Sequence, residues 1–286
     1  MPLFDRYMAV DWSASNRPKS GNDSIWISGC SNQYNIPPRN IRTRTETIDV
    51  IKDHILASLK SDEKLLIGFD FAFGYPAGTA EALGTNGWES LWAMIHDKIK
   101  DTEKNVSNRF RVAEELNHMI GSTEGPFWGH PHQRQYQGLK PKKPLKSHPD
   151  IKEFREVERR ATSAKSVWQL AYNGAVGSQT LLGIASLERL RRDPEIGRYI
   201  AIWPFETNFA DDINKPIIFA EIYPSSHQGW KDMPFDTADA QQVAKICEDF
   251  KLWDSQNLLK TKLSASNLTE TQRYAAINEE GWIIGQ

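Results

Sequence analysis

The chain has 286 residues, with 35 basic against 37 acidic side chains, 39% hydrophobic and 25% charged content, and only two cysteines. That balance excludes disordered and fibrous classes, and the net charge of −2 argues against a generic nucleic-acid coat while leaving room for a local basic patch. No apolar run approaches the roughly 18 residues that span a membrane, no secretory signal pattern opens the chain, and Cys30 and Cys247 cannot form a disulfide scaffold, so a cytoplasmic location is expected.

In chain order, residues 7–12 read as a short apolar strand, 24–28 as a second, and 40–47, β-branched at alternate places, as a third. Pro37-Pro38 is expected to break the chain before that third strand. Ile48, Ile51, Ile55 and Leu59 then recur on one helical face. Residues 65–73 form the strongest strand, ended by Gly74 and Pro76, and the series predicts a mixed α/β sheet. The length suits a single domain over 1–286, with 77–165 as a long insertion. That insertion holds a polar helix around 102–120, a Gly/Pro/His-rich stretch at 125–132, and ten Lys or Arg against four Asp or Glu over 134–165. A glycine-containing turn at 174–179 opens a helix with Leu181, Ile184, Leu187 and Leu190 on its apolar side. Residues 199–203 and 217–223 read as further strands, each stopped by a proline. A long helix starts near Asp236, and a terminal one over roughly 270–280 is closed by Gly281.

Asp11 and Asp70 each interrupt an apolar strand near its C-terminal end. Alternate residues of a strand share a face, so Asp11 stands with Ala9 and Ser13, and Asp70 with Gly68 and Ala72. Small neighbours are expected to leave room for an ion or a substrate; the alternative is that each Asp accepts backbone hydrogen bonds where strand becomes loop. Asp236 and Asp239, three apart at a helix start, suit an N-cap and the helix dipole, and are also able to face the end of a sheet. Four converging carboxylates would repel one another unless Mg²⁺ or Mn²⁺ joined them, and hard oxygen donors without clustered Cys or His favour those metals. Glu221, inside a strand, is preferred to Glu206 as a further metal ligand. His130-Pro-His132 reads as a solvated loop rather than a metal pair. Phe127-Trp128 suits either stacking on a base or plugging the insertion onto the core. The basic stretch suits a phosphate backbone or a solvated helix, and Lys165 is its candidate for positioning phosphates. Gly177 and Ser178, in the turn before a helix, are candidates for presenting N–H groups to an anion. Ser13 also counts as a substrate-binding candidate, but no Gly-x-Ser-x-Gly elbow marks any serine as a nucleophile.

The motifs Ala9-Val-Asp-Trp-Ser-Ala14, Gly68-Phe-Asp-Phe-Ala-Phe-Gly74, Gly125-Pro-Phe-Trp-Gly129, Trp203-Pro-Phe-Glu-Thr207, Ala220-Glu-Ile-Tyr-Pro-Ser225, Asp239-Ala-Gln-Gln-Val243 and Glu280-Gly-Trp-Ile-Ile-Gly285 keep their order along nearly the whole chain. Together they resemble a bacterial domain-of-unknown-function family predicted to consist of RNase H-like nucleases. The resemblance implies a mixed sheet of five or slightly more strands flanked by helices. Its metal-binding acids sit at the ends of the first and fourth strands and on the last core helix, which Asp11, Asp70 and Asp239 match. The Asp236-x-x-Asp239 pair is similar to the paired helix acids of Holliday-junction resolvases. The long insertion, and a second strand candidate after the 180–192 helix, depart from the minimal pattern. The expected activity is divalent-metal-dependent phosphodiester hydrolysis on a nucleic acid or nucleotide. Asp11 would bridge two ions, Asp70 and Asp239 would each hold one, and Asp236 or Glu221 would complete a shell. The alternatives are a nucleotide-binding phosphotransferase, disfavoured by the lack of glycine in Asp11-Trp-Ser-Ala-Ser15 and of a second copy, and a non-catalytic metal- or nucleotide-binding protein.

Overall fold

A computed structural model describes residues 2–31, 33–145, 148–160, 164–210 and 213–286. The chain begins with an antiparallel meander of β1 (Arg6–Asp11), β2 (Ile25–Ser31) and β3 (Asn35–Ile41), followed by α1 (Arg44–Lys60) and β4 (Leu65–Phe69). The third strand lies earlier than its expected 40–47. Thr43 accepts the Glu46 N–H at 3.2 Å, so the Thr-rich stretch caps a helix instead of extending a strand. Pro37 and Pro38 fall inside β3, which tolerates them because it is a sheet edge with an irregular register opposite Ser28.

Between β4 and the next strand run α2 (Thr79–Ala82), α3 (Gly87–Lys98), α4 (Arg109–Met119), α5 (Glu156–Arg160) and α6 (Gly177–Arg191). The expected polar helix thus begins only at Arg109, and α5 is the short helical part of the basic stretch. Most of that stretch's described cations have acidic neighbours, as in Lys143–Glu153 at 2.5 Å and Lys152–Glu156 at 3.0 Å; Lys146 lies outside the described residues. Strands β5 (Ile200–Ile202) and β6 (Ile217–Glu221) then complete a six-stranded mixed sheet of order β3-β2-β1-β4-β6-β5. β6 pairs parallel with β4, and β5 is added outside it at the edge. The chain ends with α7 (Ala238–Ser255), α8 (Leu258–Ser264), α9 (Glu270–Ala275) and a π-helical turn, Ala276–Glu280.

Strand alternation divides the core between the two faces of the sheet. Met8, Val10, Ile67 and Phe69 pack with Ile51, Trp92 and Leu181 of α1, α3 and α6. Tyr7, Ala9, Leu66 and Ala220 pack with Val243, Ile246, Cys247 and Phe250 of α7. The far end of α7 is tied to the chain start, where Asp254 accepts the Leu3 and Phe4 N–H groups and the Tyr7 hydroxyl, the last at 2.7 Å. Both cysteines are free and buried. Among the described residues no helix is long and apolar enough to cross a membrane.

Candidate functional site

Strands β1 and β4 are parallel neighbours, so their C-terminal ends emerge side by side. Asp11 is the last residue of β1. Asp70 follows β4 directly, its N–H donating to the Val10 carbonyl at 2.9 Å, which extends the pairing by one residue. The first turn of α7 brings Asp239 to the same end; Thr237, not Asp236, caps this helix by accepting the Ala240 N–H. Both strand acids and Ser13 line an open cleft, as expected, but Gly68 is not what leaves the room. A Cβ on Gly68 would lie 2.6 Å from Ile222 Cγ2 and 3.2 Å from the Phe250 ring, so glycine there admits close packing of the α7 side. The open space lies farther along, in a cleft of about 530 Å³ between the loop 12–24, the turn 172–175 and the start of α7. Buried Arg44 braces that loop. It donates to the Ser13 and Ser15 carbonyls at 3.0 and 2.8 Å while Asp101 takes its other edge at 2.5 and 2.7 Å.

Burial, and then repulsion from Asp70, Asp239 and Asp23, holds the Asp11 carboxyl well above the usual carboxylate range. Asp70 is pushed up to about 7 by burial, with Glu221 and Asp239 adding to it. Asp239 is also raised by burial, partly offset by the Asp23 N–H it accepts at 2.8 Å. Neither the Asp11 nor the Asp70 carboxylate has a hydrogen-bond or ion-pair partner among the described residues. Lys19, on the cleft wall, is engaged with Asp23 at 3.1 Å. Asp11, Asp70 and Asp239 therefore share one cleft and one field. Among the described residues, no three His, Cys, Asp or Glu side chains stand together as a ready metal cage. Mg²⁺ does not require such a cage, because it is commonly held by one or two carboxylates, waters and substrate phosphates. Two carboxylates at adjacent strand ends, unpartnered among the described residues, suit that chemistry.

The other expected site residues have different placements. Glu221 is a buttress behind Asp70 rather than an open ligand: Arg155 takes both its oxygens at 2.6 and 2.7 Å, and the Phe73 N–H donates to one of them at 3.0 Å. Glu206 accepts the Ile202 N–H at 2.8 Å, turning the chain after β5. Asp236 is exposed and does not line the cleft. Ser13 lines it, but its hydroxyl donates to the Asp23 carbonyl and accepts the Ser15 N–H. Ser178 is buried between the Leu170 carbonyl and Arg109, and the Gly177 N–H is taken by Gln169. Neither residue lines the cleft. Trp128 lines a separate cavity with Trp168, while Phe127 plugs the core against Tyr75 and Trp168. Lys165 is exposed, and its stem lies against Gly174 at the cleft rim. His130 is buried against Tyr136. Asp23, Tyr172 and Gln179 line the cleft without having been expected there. Gln179 donates to the Trp12 carbonyl at 2.7 Å and so joins α6 to the end of β1. Nothing in the local pattern of these three residues distinguishes them from ordinary loop and helix-start residues. No family model, curated protein or solved structure matches the chain.

Proposed function

We propose that the chain is an RNase H-like phosphodiester hydrolase that uses Mg²⁺ or Mn²⁺. The observation that carries this reading is the pair Asp11 and Asp70, a buried and a half-buried carboxylate at the ends of adjacent parallel strands, unpartnered among the described residues and open to one cleft. Two such groups resist ionising together without a cation, which is a reason for a protein to keep them only where one binds. The strand order supports the same reading. A mixed sheet flanked by helices, with acids ending the first and fourth strands and a third acid on α7, is the arrangement that the sequence resemblance implies. The additional strand β5 lies at the far edge, away from β1 and β4.

Asp11 and Asp70 would hold the ion, with Asp239 contributing a third carboxylate from α7. Once bound, the ion would neutralise phosphate charge and make water a stronger nucleophile at neutral pH. The protein's own part is to orient and to exclude. Arg44 fixes the loop 12–24 over the carboxylates, Gln179 holds the opposite wall against β1, and Lys165 on the rim attracts and positions a phosphate. Ser13 and Ser178 supply no nucleophile, since both hydroxyls are engaged.

The test is cleavage of single-stranded, duplex, branched and mononucleotide substrates with Mg²⁺ or Mn²⁺, wild type beside Asp11→Asn. Metal-dependent cleavage by the wild type, reduced about 100-fold or more in a normally folded Asp11→Asn, is expected. Activity that persists unchanged in Asp11→Asn removes this mechanism. Metal binding without cleavage of any of these substrates leaves the non-catalytic alternative.

A further inference from the structure

One residue of the cleft wall carries an exposed aromatic ring whose presentation the packing of the core does not explain. Tyr172 lines the cleft and is 51% exposed, whereas Trp12, on the same cleft, is buried with a relative exposure of 1%. The Tyr172 ring is held in place. Its hydroxyl donates to the His130 carbonyl at 2.7 Å, and the His132 ring stands 5.8 Å away at 38°. Its backbone is left-handed, at φ 76, a conformation that costs a tyrosine energy and costs glycine almost none. A large side chain is therefore kept at a position where glycine would be easier, with half its surface open to water. Two residues on, the Lys165 stem packs along Gly174, which places a lysine at the same rim. A fixed aromatic plane, a neighbouring lysine and a carboxylate cleft match the base, phosphate and reacting centre of a nucleotide chain.

We propose that Tyr172 is the stacking platform for an unpaired nucleobase, so that the cleft takes single-stranded nucleic acid in preference to closed duplex. A base inside a duplex is stacked on both faces and offers none to a side chain, whereas an unstacked base does. The proposal rests on the reading of the cleft as a nucleotide site, but it concerns binding and can be tested without cleavage.

The probe is a short DNA oligonucleotide containing 2-aminopurine, titrated with Mg²⁺ into the Asp11→Asn protein, and read as fluorescence quenching on stacking. Quenched, saturable binding is expected. Tyr172→Gly, which relaxes the backbone at that position and should fold normally by circular dichroism and melting, is expected to weaken binding by roughly 5- to 100-fold and abolish the quenching. Tyr172→Trp is expected to retain both. The same oligonucleotide annealed to its complement should bind the parent about as poorly as the single strand binds the Tyr172→Gly protein. Unchanged affinity and quenching in Tyr172→Gly, equal affinity for duplex, or no binding of the oligonucleotide at all overturns the proposal. Quenched binding by a protein whose wild type cleaves nothing keeps the role of Tyr172 and removes only the hydrolase reading. Wild-type cleavage that Tyr172→Gly leaves unaltered on single strands does the reverse.

Discussion

Asp70 shows how one side chain links stability to function. Its carboxyl is pushed from an ordinary 3.8 up to about 7, chiefly by burial. Between those values the folded chain holds a proton that the unfolded chain has released, so stability falls as pH rises through that window. Full linkage for such a shift is about 4 kcal/mol, and the partial exposure of Asp70 to the cleft reduces the expectation to about 2 kcal/mol. In urea titrations without divalent ions, the stability of wild type minus that of Asp70→Asn should therefore decline from pH 4.5 to pH 8. A pH-independent difference would show that Asp70 is not the group responsible. Saturating Mg²⁺ should remove most of the decline, because it favours the ionised form. That Asp70 was chemically interesting was visible from its place in an apolar strand. The direction of its titration was not, since it depends on burial by residues distant in the sequence.

At the scale of elements, the position of α7 decides whether Asp239 reaches the cleft, and Gly68 decides how closely that side of the sheet is packed. Gly68→Ala places a methyl 2.6 Å from Ile222 Cγ2 and 3.2 Å from Phe250, too close without movement. A loss of about 1–3 kcal/mol in denaturant unfolding is expected. Part of it should return in Gly68→Ala combined with Ile222→Ala, which makes room for the methyl. Full stability in the single variant would mean that α7 yields freely. Strands β1 and β4 and the apolar face of α1 were legible because their periodicity is local. The span of β3 was not. Alternating threonines resemble a strand until Thr43 is seen capping α1, and a proline pair signals a break unless the strand is known to be an edge.

Across the whole molecule, Arg155 fastens the segment between β4 and α6 to the sheet and to the chain end. It pairs with Glu158 and Glu221 and donates to the Glu280 carbonyl at 2.7 Å, with all three side chains buried. Removing one member of a buried pair strands the other charge, and Arg155→Met is expected to cost about 3–5 kcal/mol in chemical denaturation. Arg155→Met combined with Glu221→Leu and Glu158→Gln should recover much of that loss. If the single variant is as stable as the wild type, the network does not join these parts. Glu221 was expected as a metal ligand because an acid within an apolar strand has no local partner. Its partner, Arg155, stands 66 residues away, in the basic stretch that by sequence suits either a phosphate backbone or a solvated helix.

The order of the six strands, the helices α1, α6 and α7, the mixed α/β class, and the strand-end positions of Asp11 and Asp70 followed from the sequence alone, because hydrophobic periodicity and interruptions of it are written within a few residues; α3 and α8 did not. The tertiary structure decided the rest. It set β6 between β4 and β5, gave Arg155 to Glu221, left Asp11 and Asp70 without partners among the described residues, and put Tyr172 on the wall of their cleft. These outcomes depend on which distant segments meet and how much water they exclude, and no local pattern of residues encodes either.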